Sequence, residues 1–188
     1  MKIFALLFVA LLGSASASAD EQSTSRVVKI ANGITQVDFT GEGVADMVVS
    51  GHRESYNAHS FDVVSFYVPD RHDTSASAPW DVVPVMTKGG EKWQVTVSGG
   101  ADCVLHDFRL LAARGKEPAT LIMADRDFGN SFADTAKVTF TFYSLVHNLD
   151  GIPGYPPYSF EQAGTVVAKR PYCDVEQAFD GELGIGAR

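Results

Sequence analysis

Four short stretches of this sequence carry residues whose types and spacing could do chemistry. In Asp38-Phe39-Thr40-Gly41-Glu42-Gly43-Val44-Ala45-Asp46, oxygen-bearing side chains alternate with glycines. Asp38, Thr40, Glu42 and Asp46 could surround a hard cation, because calcium takes six to eight oxygens from a flexible loop. The stretch resembles the calcium loop of FG-GAP repeats, although Thr40 stands where a charged ligand belongs and Glu42 is long for its place, so any calcium affinity is weak. The competing and preferred reading is a Gly-rich hairpin with solvated carboxylates.

The second stretch, His52-Arg53-Glu54-Ser55-Tyr56-Asn57-Ala58-His59-Ser60, is a polar insertion between two apolar runs. Binding residues concentrate on loops held by a rigid sheet, and His52 and His59 could face each other there. Their seven-residue spacing is not a metal-ligand signature in a loop, and Asn57 and Ser60 could simply cap strand ends. The third is His106-Asp107 with Asp102 and Arg109, and the fourth runs from Asp125-Arg126-Asp127 to Ser131. On a strand, His106 shares a face with Phe108 and Leu110 while Asp107 and Arg109 occupy the other. The commoner role of such a histidine is a hydrogen-bonded core residue, and Arg126 between two aspartates reads as an ion pair at a turn. No Gly-x-Ser-x-Gly, Ser-x-x-Lys, Lys-Thr-Gly or His-Glu-x-x-His motif occurs, so nothing in the sequence argues for an activated nucleophile or a metallo-hydrolase. A triad assembled in space from the five histidines stays open.

The elements that must position these groups read as strands. Short runs rich in valine and aromatics recur from Val27 to Lys169 at spacings near ten residues, punctuated by glycine, proline and aspartate. Lys137 to Tyr143 alternates most clearly, with Val138, Phe140 and Phe142 on one apolar face. These signals predict an all-β antiparallel sandwich or barrel of about ten strands. Asp174 and Gln177 resemble a capping box, which predicts a short C-terminal helix ending near Gly181. Residues 151–157 contain three prolines and form a loop.

The N-terminus bounds where the chain works. Lys2, an apolar run from Ile3 to Leu12 and small residues to Ala19 form the three-part pattern of a signal peptide, cleaved after Ala19. Its removal leaves residues 20–188 as one β domain with 14 basic against 23 acidic side chains. That charge disfavours a nucleic-acid partner, and no run is apolar for long enough to make a membrane-spanning helix. The two cysteines, Cys103 and Cys173, are expected to pair in an oxidising compartment.

Taken together, Val37 to Val49, Arg53-Glu54 with Asn57 to Val63, Ser98 to Leu110, Ala124 to Ser131 and Tyr172-Cys173-Asp174-Val175 resemble the periplasmic carbapenem intrinsic-resistance (self-resistance) proteins. The resemblance covers most of the mature chain. It implies a periplasmic protein that helps a Gram-negative cell survive a β-lactam of the carbapenem class without being a recognised β-lactamase. Such a protein binds the drug or protects a cell-envelope protein target. A pocket for a small anion needs a few donors in an apolar setting, and His52, Arg53, Asn57, His59, His106, Arg109 and Arg126 are the groups to test. No catalytic residue and no cofactor, beyond the weak calcium loop, follows from the resemblance. The alternatives are a secreted calcium-stabilised recognition module and an unrecognised hydrolase, and exposed edge strands leave a homodimer open.

Overall fold

A computed structural model describes residues 26–73, 75, 77–99, 101–115 and 117–186. The signal-peptide reading of residues 1–19 and the leader at 20–25 lie outside the described residues. Eleven strands and one helix follow in chain order. They are β1 (Gly33–Val37), β2 (Asp46–Arg53), β3 (Phe61–Pro69), β4 (Trp80–Val83), β5 (Val85–Thr87), β6 (Gly90–Lys92), β7 (Val95–Gly99), β8 (Val104–Leu111), β9 (Thr120–Arg126), β10 (Val138–His147), β11 (Tyr158–Val167) and α1 (Val175–Leu183).

The chain is all-β with a short C-terminal helix, as its period-two patterning requires, but the strands form one mixed sheet rather than a purely antiparallel one. The ladder runs β1-β2-β3-β7-β8-β9-β10-β11-β5-β6, and β4 pairs with the end of β3 on the same edge as β7. Every pair is antiparallel except β5 with β11. Pro84 explains the exception. It lacks an N–H, so the segment leaves the β3 ladder after Val83, and the Pro84 carbonyl accepts from Phe160 N at 2.8 Å as β5 joins β11. The ladder does not close.

Strand β7 carries the sheet from one half to the other. Its Val95 to Val97 pair with β3, whereas Ser98 and Gly99 pair with β8 across a register shift. The two halves therefore face each other over a main core. Phe66 of β3 sits at its centre, with ring centroids 5.3 Å from Phe160, 6.1 Å from Phe108 and 6.3 Å from Phe39. Fully burying each such ring contributes about 1.5–3 kcal/mol.

A second core lies on the outer face of β8–β10, where Val175, Ala178 and Phe179 of α1 cover Ile122, Ala124, Val138 and Phe140. This corrects the reading of β10. The face carrying Val138, Phe140 and Phe142 packs under the helix, while Tyr143 and Leu145 on the opposite face enter the main core. Residues buried on both sides of a sheet blur alternation, because neither face is left to water.

Helix α1 begins as expected, with Asp174 accepting from Glu176 N at 2.7 Å. It runs through Gly181 instead of ending there. Gly184, in the left-handed region, supplies the stop, its N–H reaching Asp180 O while Ile185 N reaches Phe179 O. Cys103 and Cys173 are disulfide-bonded across 70 residues, with Cα atoms 5.6 Å apart, and tie the β7–β8 turn to the helix start. Among the described residues no helix is long and apolar enough to cross a membrane.

Candidate functional site

Of the polar insertion, His52 and Arg53 lie on β2, paired with Asp62 and Phe61, rather than in a loop, and residues 54–60 form the turn between β2 and β3, held by its own side chains. The Glu54 carboxylate accepts from Tyr56 N and from Ser60 Oγ at 2.7 Å, and these bonds hold it below the usual carboxylate range. Asn57 Oδ1 accepts from His59 N at 2.8 Å, a local turn of the kind asparagine favours. His52 Nδ1 donates to Asp62 at 2.8 Å across the β2–β3 pair, which raises its pKa above the ordinary histidine value. Arg53 stacks over Phe61 at 5.2 Å and donates to Ser55 Oγ. His59 turns the other way, its ring 5.1 Å from that of Phe132. His52 and His59 thus have separate partners, and a small hollow of about 230 Å³ opens beside His52, lined also by Ser60, Asp62, Val97, Ser98 and Val104.

Two arginines singled out for anion binding are placed elsewhere. Arg109 is fully buried on the helix face of β8, its guanidinium donating to Asp107, Phe108 O and Gly186 O and lying 4.4 Å over the Phe179 ring. Arg126 is buried as well and donates to the carbonyls of Phe128, Ser131 and Asp134, so it shapes the loop after β9. The expected ion pair with its flanking aspartates is replaced by carbonyls. Asp125 accepts instead from His106, and Asp127 meets Lys137 at 3.2 Å.

The oxygen-rich loop between β1 and β2 folds around amides. Asp38 accepts from the backbone N–H groups of Gly41, Glu42 and Gly43 and from Thr40 Oγ1. Gly41 and Gly43 make this possible, since φ values of 79° and 78° turn the amides inward. Asp46, fully buried, accepts from Phe39 N and Thr40 N, and its second oxygen accepts from Arg71 Nη2 at 2.7 Å. Burial pushes the Asp46 carboxyl up, against the pull of those amides and of Arg71. Glu42 leaves the loop to meet Arg71 Nε at 3.4 Å and to accept from Tyr158 Oη, which with burial raises the Tyr158 phenol far above its ordinary range. A guanidinium therefore occupies the position where the calcium reading puts a metal. No group of three or more histidine, cysteine or acidic side chains could hold a metal ion among the described residues.

A cavity of about 540 Å³ lies where the β6–β7 connection passes over β8 and β9. Lys92, Trp93, Gln94, Thr96, His106 and Met123 line it. Its volume falls within the range of small-molecule sites. His106 Nδ1 donates to Asp125 across the β8–β9 pair, which fixes the ring and leaves Nε2 as its other polar atom. Trp93 is 68 % exposed beside this hollow. Of the residues expected to bind a ligand, only His106 lines this cavity and only His52 the smaller one. Lys92, Trp93 and Met123 were not anticipated, although an aromatic three residues after the Gly89-Gly90 pair was the available signal.

The comparisons with known proteins agree with this architecture. The family model described as "Carbapenem resistance protein CarG-like" matches residues 30–181. The crystal structure of CarG superposes with a TM-score of 0.68 at 23 % identity, covering 86 % of this chain and 99 % of that one. No curated protein matches.

Proposed function

The chain belongs to the CarG-like carbapenem resistance family, and from that membership we propose that it protects a Gram-negative cell in the periplasm by binding the drug without hydrolysing it. The family match over residues 30–181 carries the resistance role. Binding is supported by the placement of the imidazoles: His52 and His106 each spend Nδ1 on an aspartate and each is held as a polar group lining a hollow. Export is supported by the leader-like residues 1–19 and by the Cys103–Cys173 disulfide, since such bonds persist in oxidising compartments.

The test has two arms. Expressed in a carbapenem-sensitive strain, the full chain should raise the inhibitory concentration of meropenem, and an unchanged value refutes the resistance role. Purified protein mixed with meropenem should leave the β-lactam absorbance intact, whereas steady catalytic loss of absorbance refutes the non-enzymatic reading. Thermal denaturation gives an independent measure of binding, because a ligand at 100 times its Kd adds about 2.7 kcal/mol of native stability.

A further inference from the structure

The cavity beside His106 has the composition of a receptor for a small amphiphilic acid. We infer that it is the drug-binding site, where Lys92 takes the carboxylate, Trp93 and Met123 cover an apolar ring face, and His106 Nε2 takes a hydroxyl or amide proton. This inference rests on the proposed binding function and assigns it a place.

Several observations converge on it. Trp93 leaves 68 % of its surface in water although it sits at the rim of a concave hollow. An exposed tryptophan carries a large penalty-free contact area for an incoming ring, since only two side-chain torsions need ordering. Met123, buried in the main core, reaches the same lining with a flexible thioether that adapts to irregular shapes. The polar groups are of matched kinds. Lys92 brings an ammonium, Gln94 an amide and Thr96 a hydroxyl to the same lining.

His106 is the most constrained of these groups. With Nδ1 donating to Asp125, the neutral ring presents Nε2 as an acceptor, so it selects a guest with a hydroxyl or amide proton. Of the local acids, Asp125 is committed to His106, while Glu91 also lines the cavity and forms no ion pair with Lys92 among the described residues. The buried guanidinium of Arg109, by contrast, is spent on Asp107 and backbone carbonyls and is closed to any guest.

The chain has two tryptophans, and Trp80 does not line the cavity. Titrating ¹⁵N-labelled protein with meropenem should therefore move the Trp93 indole N–H signal saturably while the Trp80 signal stays in place as an internal reference. Trp93→Ala and Lys92→Ala should each weaken binding about tenfold or more, with the Trp80 signal showing that the fold is kept. His106→Gln, which keeps a hydrogen-bonding group at this position, should bind more tightly than His106→Leu. A Trp93 signal that does not respond at millimolar drug, while the wild-type chain still raises the inhibitory concentration, overturns the site and leaves the resistance role standing. A saturable Trp93 shift with an unchanged inhibitory concentration supports the site and overturns the resistance role. Equal shifts at both indoles would overturn the site as well, since they would report drug spread over the surface.

Discussion

Replacing Arg71 by alanine tests whether a guanidinium, not a metal, holds the β1–β2 loop. Arg71 lies 2.7 Å from Asp46 Oδ1 and 3.4 Å from Glu42 Oε2, and its side chain is 23 % exposed while Asp46 has no exposure. Two unit charges about 4 Å apart at an effective dielectric near 20 attract by about 4 kcal/mol. Breaking a buried pair from one side typically costs 3–5 kcal/mol. Two backbone amides would still hold Asp46, and Arg71 is partly hydrated, so a loss of about 2–4 kcal/mol is expected at pH 7. For a chain of this length that corresponds to a fall in Tm of roughly 5–15 °C. The pH dependence has a definite sign. Burial already raises the Asp46 pKa above 3.8, and removing Arg71 deletes one of the influences that lower it. The native state of the variant then binds a proton that the unfolded chain releases, so its stability rises as pH falls toward the unfolded value. Urea denaturation should therefore show a smaller loss at pH 5 than at pH 7. A loss below about 0.5 kcal/mol, or one equal at both pH values, would refute the reasoning. If the wild-type chain melts lower with chelator, the loop binds a cation after all and the guanidinium account fails.

The disulfide and the exposed His52 pair give two further expectations. Replacing Cys103 and Cys173 by serine opens a 70-residue link, and the chain-entropy model puts the loss at on the order of 4 kcal/mol; an unchanged urea midpoint would mean that the link adds nothing to the packing around the helix. By NMR, His52 should titrate above 6.5 and return toward it in Asp62→Asn, because the Asp62 hydrogen bond is the chief cause of the shift. A raised folded value means that this pairing stabilises fully below pH 6.5 and fades as pH climbs through the folded pKa, and an unshifted His52 signal would count against the bond.

The strands were readable because Val, Phe and Thr alternate with the period of an extended chain, and the helix because Asp174 stands at its cap. The layering was not readable. In Leu121-Ile122-Met123-Ala124 every side chain is buried, two toward Phe66's core and two toward Phe179, and a run apolar on both faces carries no phase. The parallel β5–β11 pair was hidden for another reason: it depends on where Pro84 releases the chain, and the partner lies some 75 residues away in sequence. Of the candidate site, His106 was legible as a polar interruption of an apolar strand and His52 as the start of a polar insertion between two apolar runs. Trp93 was not, because a lone aromatic three residues after a Gly-Gly pair reads equally as core or rim, and only the fold leaves it uncovered.

The arginines show why residue type alone misdirects a search for anion binding. Arg71, Arg109 and Arg126 each fasten an irregular segment to the sheet: the β1–β2 loop, the tail at Gly186 and the loop after β9, respectively. A planar guanidinium with five donors suits that task, since one side chain can satisfy several carbonyls or carboxylates that the segment would otherwise bury unpaired. Each bond so made removes a donor from any ligand, and the burial that strengthens the clasp also shuts out the guest. Lysine has the opposite virtues. Its ammonium is a hydrated point charge on a flexible stem, poor at organising loops but able to reach a carboxylate at a rim. In a chain this acidic, the cation that meets an anionic drug must be one that the fold has left unspent, and Lys92 beside Trp93 fits that requirement.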